Sequence, residues 1–181
     1  LKQNKQNLES REKGRFKDNW WAYSRPQNLT EFENEKIMTP DIVNMSQFTI
    51  DTSKKLYATT TVYSLSFNEL SKSKTLLYLA IFNTKIFWFY IINTGTLLRG
   101  GFSRFKTKYM ENFPIPNLDL SKSSDKKKHD ELVSLVDNML ETRRKLHSAN
   151  TEADKKLYEN KANAIDKKID AIVYKLYDLT D

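Results

Sequence analysis

The sequence predicts an α+β fold, with a small antiparallel sheet packed on a buried helix and a C-terminal antiparallel helical hairpin. Three features indicate it: short β-branched and aromatic runs in the first third, a nearly continuous apolar run in the middle, and heptad spacing in the last third. With 181 residues, of which 39% are hydrophobic and 12% aromatic, the chain suits one ordinary domain or one domain with an appendage.

The first segment, residues 1–10, is polar and helix-compatible, and it has no signal-peptide pattern. It reads like the interior of a helix, so we expect the chain to be a fragment of a larger protein. Trp20 and Trp21 follow, ahead of an Arg-Pro pair at residues 25–26. Because the residue before proline disfavours the α region, this stretch is expected to be extended or turning. One tryptophan would then be buried and the other available for stacking, unless both serve only in packing.

Strands are expected next. Residues 36–40 and 47–50 are short candidates, and residues 56–65 form the strongest one because β-branched and aromatic side chains alternate there. Together they predict an antiparallel meander.

A helix is predicted to begin at Ser71, and residues 76–92 are almost all apolar, with a polar interruption at residues 83–85. A membrane span needs about 20 continuous apolar residues. The run therefore predicts a buried core helix, with no membrane contact and with Gly95 as its C-cap.

Residues 117–128 are rich in Ser, Asp and Lys and are expected to link a first domain, residues 1–116, to a helical hairpin, residues 129–181. Apolar side chains step by three and four in both arms, which is typical of coiled-coil-like packing. A short polar break between the arms predicts an antiparallel hairpin. It would brace the domain, pack on another part of the parent protein, or mediate self-association.

The net charge of +7 is concentrated between residues 71 and 108, which hold seven basic residues and no acidic one. A localised cationic stretch suits a polyanion, because each neutralised phosphate releases condensed counterions. A solvated basic face without a partner is the alternative. The absence of cysteine excludes disulfides, thiolate nucleophiles and Cys-rich zinc sites, and it fits a cytoplasmic location. His129 and His147 lie in charged, helix-like stretches and predict no metal site.

No catalytic pattern is present: the sequence has no glycine-rich phosphate loop, zinc-protease motif or nucleophile elbow. The Pro-Asp pair at residues 40–41 and the Glu-Asn-Lys run at residues 159–161 imitate a nuclease pattern, but the second part lies on a heptad helix. NFPIPN, residues 112–117, differs from the Asn-Pro-Pro-aromatic motif of adenine methyltransferases because apolar residues interrupt it. Its Pro-Ile-Pro is better interpreted as a rigid exit from the domain.

The basic stretch ends in TGTLLRGGFSRFKTKYMENFPIP, residues 94–116. A glycine pair allows backbone conformations that a Cβ forbids. Arginine offers a planar donor fork for phosphate or guanine, and lysine offers a point charge for phosphate. Phe102 and Phe105 are expected to anchor this loop in the core. A basic glycine turn between a helix and a strand is the alternative.

Taken as a DNA-binding loop, it supplies most of the candidate contacts. The candidates are Arg99, Gly100, Gly101, Arg104, Lys106 and Lys108, with Tyr23, Arg25 and Thr61 as weaker ones. Arg104 and Lys106 are expected to face outward by alternation.

The run LLYLAIFNTKIFWFYIINTGTLLRGGFSRFKTKYMENFPIP, residues 76–116, resembles the TaqI-like C-terminal specificity domain. That domain is the target-recognition region of bacterial N6-adenine DNA methyltransferases, including those fused to a nuclease in type IIG restriction–modification enzymes. The family pattern has a helix ending near Leu-Asn-Ser-Lys, a basic glycine turn, Arg-Phe-Lys and Leu-Pro-Ile-Pro. Its counterparts here are residues 82–85, 99–101, 104–106 and 113–116. WWAYSRPQNL upstream, and LVSLVDNMLETRRKL and IDAIVYKLYDLTD downstream, are also similar to such proteins.

The resemblance implies double-stranded DNA as the partner, together with a methyltransferase domain of the parent chain that would bind S-adenosylmethionine. No catalytic, cofactor or metal residues are expected in this chain. Half of a type I restriction specificity subunit is the first alternative, although DKKKHDEL departs from the Leu-x-Glu-Gln-type helix start of those subunits. A helical protein-interaction module is the second.

Overall fold

A computed structural model describes residues 1–24, 30–66 and 71–179, and within these ranges it confirms the α+β class. The strands are β1 (Lys36–Pro40), β2 (Ile42–Val43), β3 (Thr49–Asp51), β4 (Val62–Ser66) and β5 (Ser103–Arg104). The helices are α1 (Lys5–Glu9), α2 (Arg11–Gly14), α3 (Lys72–Phe82), α4 (Lys85–Thr94), α5 (Thr107–Met110), α6 (Ser123–Ser148) and α7 (Glu152–Leu176), with 3₁₀ turns at Lys2–Asn4 and Glu31–Glu33.

The main sheet is antiparallel with the order β3-β1-β4, and β2 pairs separately with β5. The predicted meander is therefore wrong, since the first strand lies in the centre and the other two flank it. Four of the five residues of β1 are buried, which suits the central position. The predicted strand at residues 56–65 is observed only from Val62. The chain turns before that point, because the Asp51 carboxylate accepts hydrogen bonds from the N–H groups of Ser53, Lys54 and Leu56.

The predicted core helix is two helices, α3 and α4, separated by Asn83 and Thr84. Ser71 and Thr84 act as N-caps of the two helices, and their side-chain oxygens accept N–H groups in the first turns. Gly95 is confirmed as the C-cap of α4, with its N–H donating to the Ile91 carbonyl at 2.8 Å. No single described helix is long and apolar enough to cross a membrane; α3 and α4 meet those criteria only as a pair bent by 62°.

The helical hairpin is formed by α6 and α7, and α6 begins at Ser123, inside the predicted linker. Its apolar side chains do not form a separate core. Leu132, Val136, Ile169 and Val173 belong to the same buried cluster as the apolar side chains of α3 and α4. This packing favours the bracing role for the hairpin. Self-association and the division into domains at residue 116 stay predictions.

Candidate nucleic-acid interface

The glycine pair lies at the tip of a tight turn. Leu98 N–H donates to the Phe102 carbonyl at 2.6 Å, and the chain on either side pairs as an antiparallel bridge. Gly100 and Gly101 have φ values of +84° and +79°, in the region where a Cβ is strained. Arg99, beside them, is exposed and has no hydrogen bond or ion pair within the described ranges. We call residues 97–108 the basic loop.

The loop is anchored by Phe105, which is fully buried and stacks on Phe48 with ring centroids 5.0 Å apart. Ser103 is also fully buried, so the alternation places Arg104 and Lys106 on the outward side as predicted. Phe102 does not anchor the loop and keeps 39% of its surface exposed. The reason is register: the buried positions of β5 and its continuation are 103 and 105, and residue 102 belongs to the turn.

Arg104 is held by Asp41, which follows β1 directly. Its Nε donates to Asp41 Oδ1 at 3.1 Å and its Nη2 donates to Asp41 Oδ2, so one edge of the guanidinium is paired with both carboxylate oxygens. The Asp41 side chain is 7% exposed and that of Arg104 is 36% exposed. The hydrogen bond to Asp41 raises the pKa of Arg104 further above its already high usual value.

Asp41 is itself fixed by backbone contacts. Its N–H donates to the Thr61 carbonyl and its own carbonyl accepts from Phe105 N–H, both at 2.9 Å. One residue therefore connects the segment before β4 with the basic loop. Thr61, a weaker candidate, lies beside Asp41 through this hydrogen bond and is exposed.

The lysines of the loop lie around Tyr109. Lys106 precedes α5 and accepts the Tyr109 N–H through its carbonyl, and Lys108 Nζ lies 4.8 Å from the centroid of the Tyr109 ring. Tyr109 Oη and Thr96 Oγ1 are 2.5 Å apart, which joins the two ends of the loop. This hydrogen bond, with smaller contributions from the two lysines, lowers the pKa of Tyr109. Neither lysine has an ion pair within the described ranges.

The aromatic N-terminal segment is a weaker part of the site. The guanidinium of Arg11 donates to the carbonyls of Trp20 and Ala22, which holds the turn. Tyr23 is 72% exposed, Trp21 is exposed and Trp20 is half-buried. Among the described residues, the Tyr23 side chain makes no hydrogen bond with the basic loop. Arg25 lies outside the described residues.

A comparison with protein families matches residues 2–115 to the TaqI-like C-terminal specificity domain. The chain belongs to this family. A comparison with curated proteins gave no match. The family assignment identifies a specificity domain of the restriction–modification kind, and the matched range contains the whole basic loop and the sheet that supports it.

Within the described residues of this specificity domain, no cluster of His, Asp or Glu has the composition of a metal site. Two clefts of about 550 and 680 Å³ lie between the sheet, α3 and the helical hairpin, and none of the candidate DNA-binding residues lines either of them. The candidate site therefore lies outside both clefts, on the surface of the domain.

Asp41 is the residue that sequence reasoning missed. It entered only through a Pro-Asp pair that imitates a nuclease pattern. Its real partner is 63 residues away in the sequence, and no periodicity connects them. The pair has no local signal in the sequence, because Arg104 stands between Ser103 and Phe105 in a stretch with several other cations and no acidic residue.

Proposed function

We propose that this specificity domain binds duplex DNA and selects a short sequence for a bacterial N6-adenine methyltransferase. The parent enzyme would belong to the methyltransferases of this kind, which include the type IIG enzymes that also cleave DNA. The observation that carries the proposal is the basic loop, in which the exposed Arg99 and Lys108 and the half-buried Lys106 follow a turn that is anchored through Phe105 to the core of the domain. Phosphate contacts need cations without acidic partners, and Arg99, Lys106 and Lys108 meet that condition within the described ranges.

The rest of the proposal concerns the parent protein. A separate methyltransferase domain of the same chain would bind S-adenosylmethionine and the adenine, which must leave the base stack to react. The protein would act in the bacterial cytoplasm, where its DNA is. This specificity domain would supply the choice of site and no catalytic group.

The test is binding to a pool of random duplex DNA at two salt concentrations, with the bound fraction sequenced. Salt-sensitive binding with an enriched short motif supports the proposal. Salt-sensitive binding without enrichment supports DNA binding but contradicts sequence selection by this chain alone. Absence of binding at low salt overturns the proposal.

A pair of variants locates the contact. Lys106→Gln with Lys108→Gln is expected to weaken binding to every sequence and to lower the slope of log K against log salt by about two, since each lost phosphate contact removes about 0.9. The matched control is Lys167→Gln with Lys168→Gln, which removes the same charge from the exposed side of α7. Equal slopes for the two double variants would place the interface elsewhere.

A further inference from the structure

Arg104 differs from the other cations of the basic loop in having an acidic partner. Its charge is balanced by Asp41, whereas Arg99, Lys106 and Lys108 have no ion pair within the described ranges. A neutralised arginine adds little to counterion release, and the carboxylate behind it repels a phosphate. The pair is therefore poorly suited to holding the DNA backbone.

The geometry of the pair suits another task. Asp41 occupies the Nε and Nη2 edge of the guanidinium, and Nη1 has no hydrogen-bond partner in the described part of the chain. The second edge, formed by Nη1 and the remaining Nη2 hydrogen, is available to two acceptors side by side. Guanine presents such a pair, O6 and N7, in the major groove of DNA, and no other base presents two acceptors there.

The support behind the pair is rigid. Both backbone groups of Asp41 are hydrogen-bonded, to Thr61 and to Phe105, and Phe105 is locked in the aromatic core. A side chain that is already immobilised loses little conformational entropy when it binds. Discrimination between bases depends on such fixed donor positions, while phosphate binding does not.

We propose that Arg104 reads a guanine of the recognition site and that Asp41 is its positioning residue, while Arg99, Lys106 and Lys108 contact phosphates. This division of roles rests on the proposed function. It assigns to Asp41 a part in specificity although the carboxylate itself touches no DNA.

Two variants test the division by selection from random duplex DNA. Arg104→Lys keeps the charge but removes the fork. It is expected to leave the salt slope unchanged and to reduce the preference for G at one position by about tenfold to a hundredfold. Asp41→Asn adds one unit of net positive charge and releases the guanidinium. It is expected to strengthen binding to unrelated sequences while weakening the same G preference.

In Asp41→Asn the affinity for unrelated sequences is expected to rise while the preference for G falls. This combination distinguishes a positioning role from misfolding, because a misfolded variant loses affinity for all sequences. Lys106→Gln is the control, with a lower salt slope and an unchanged motif. If the wild-type chain binds no DNA, the proposed function fails. If it selects a motif and both Arg104→Lys and Asp41→Asn keep every G preference, only the base-reading assignment fails.

Discussion

At the scale of single residues, Lys36 and Asp51 form an ion pair that is almost entirely removed from solvent. Both are buried, with Nζ 2.6 Å from Oδ2, and Nζ also donates to the Phe32 carbonyl at 2.7 Å. Burial alone would raise the pKa of Asp51. Hydrogen bonds from Lys36, Ser53 and Leu56, with the charge of Lys36, outweigh it and hold that pKa well below its usual value.

Asp51→Asn is expected to lower the free energy of unfolding at pH 7 by about 3–5 kcal/mol, because it leaves the Lys36 charge buried and unpaired. Because the pKa of Asp51 is lower in the folded state, its ionised form stabilises the folded protein at pH values above the unfolded-state pKa of about 4. That stabilisation is lost as the pH falls below about 4 toward the folded-state pKa. The gap between variant and wild type should therefore narrow below pH 4. Urea titrations at pH 7 and pH 3 measure it.

The control is the exposed pair Lys126 and Asp130, whose side chains are 61% and 54% exposed. Asp130→Asn should cost less than about 1 kcal/mol, because solvent screens such pairs. If the two Asn variants lose the same stability at pH 7, burial does not set the strength of the Lys36–Asp51 pair.

At the scale of elements, the break between α3 and α4 is stabilised by hydrogen bonds of the Asn83 side chain. Asn83 Oδ1 accepts from Phe48 N–H at 2.9 Å, and its Nδ2 donates to the Phe48 and Leu79 carbonyls at 3.0 Å. The side chain thus satisfies both backbone groups of a residue just before β3, as a neighbouring strand would. These hydrogen bonds connect the break between α3 and α4 to the segment that leads into β3. That strand pairs with β1, which ends next to Asp41.

Asn83→Ala should lower the free energy of unfolding by about 2–3 kcal/mol, since it leaves two backbone groups of the buried Phe48 unpaired. Asn93→Ala is the control. That residue is exposed, and among the described residues its side chain bonds only to its own helix, at the Phe89 carbonyl. Its loss should therefore cost less than about 0.5 kcal/mol. Chemical denaturation of both variants measures the difference. Equal midpoints would show that the Asn83 hydrogen bonds to Phe48 do not stabilise the domain.

The sequence predicted the elements whose signal is local. Ser71 and Gly95 bound the helical region as predicted, and the alternation around Phe105 placed Arg104 and Lys106 outward. It failed where a side-chain contact decides the path of the chain or the partner of a residue. The carboxylate of Asp51 holds a turn that reaches Leu56, the first residue of the run with strand composition, and Asp41 reaches Arg104 across 63 positions. Neither contact leaves a periodic pattern, so only the folded chain shows it.

At the scale of the whole molecule, the helical hairpin packs on the same apolar core as α3 and α4. Its buried residues share one cluster with α3 and α4, and Asp170 accepts the Lys85 N–H at the first turn of α4 at 3.2 Å. Tyr177 Oη donates to the Pro114 carbonyl at 2.6 Å. This hydrogen bond connects the end of α7 to the Pro-Ile-Pro segment that follows the basic loop. Burial raises the pKa of Tyr177, so its hydroxyl stays protonated and able to donate at neutral pH.

This arrangement predicts a single cooperative unfolding transition. All three tryptophans, Trp20, Trp21 and Trp88, precede residue 116, so their fluorescence reports on residues 1–116 and not on the helical hairpin. Far-UV circular dichroism is dominated by α6 and α7, of 26 and 25 residues. Coincident midpoints for the two signals in urea are expected, because the core cannot lose the side chains of α6 and α7 without exposing those of the other elements. A hairpin that unfolds at higher or lower urea than the tryptophan region would instead be an independent appendage, and the basic loop would then depend on the sheet and α3–α4 alone for its position.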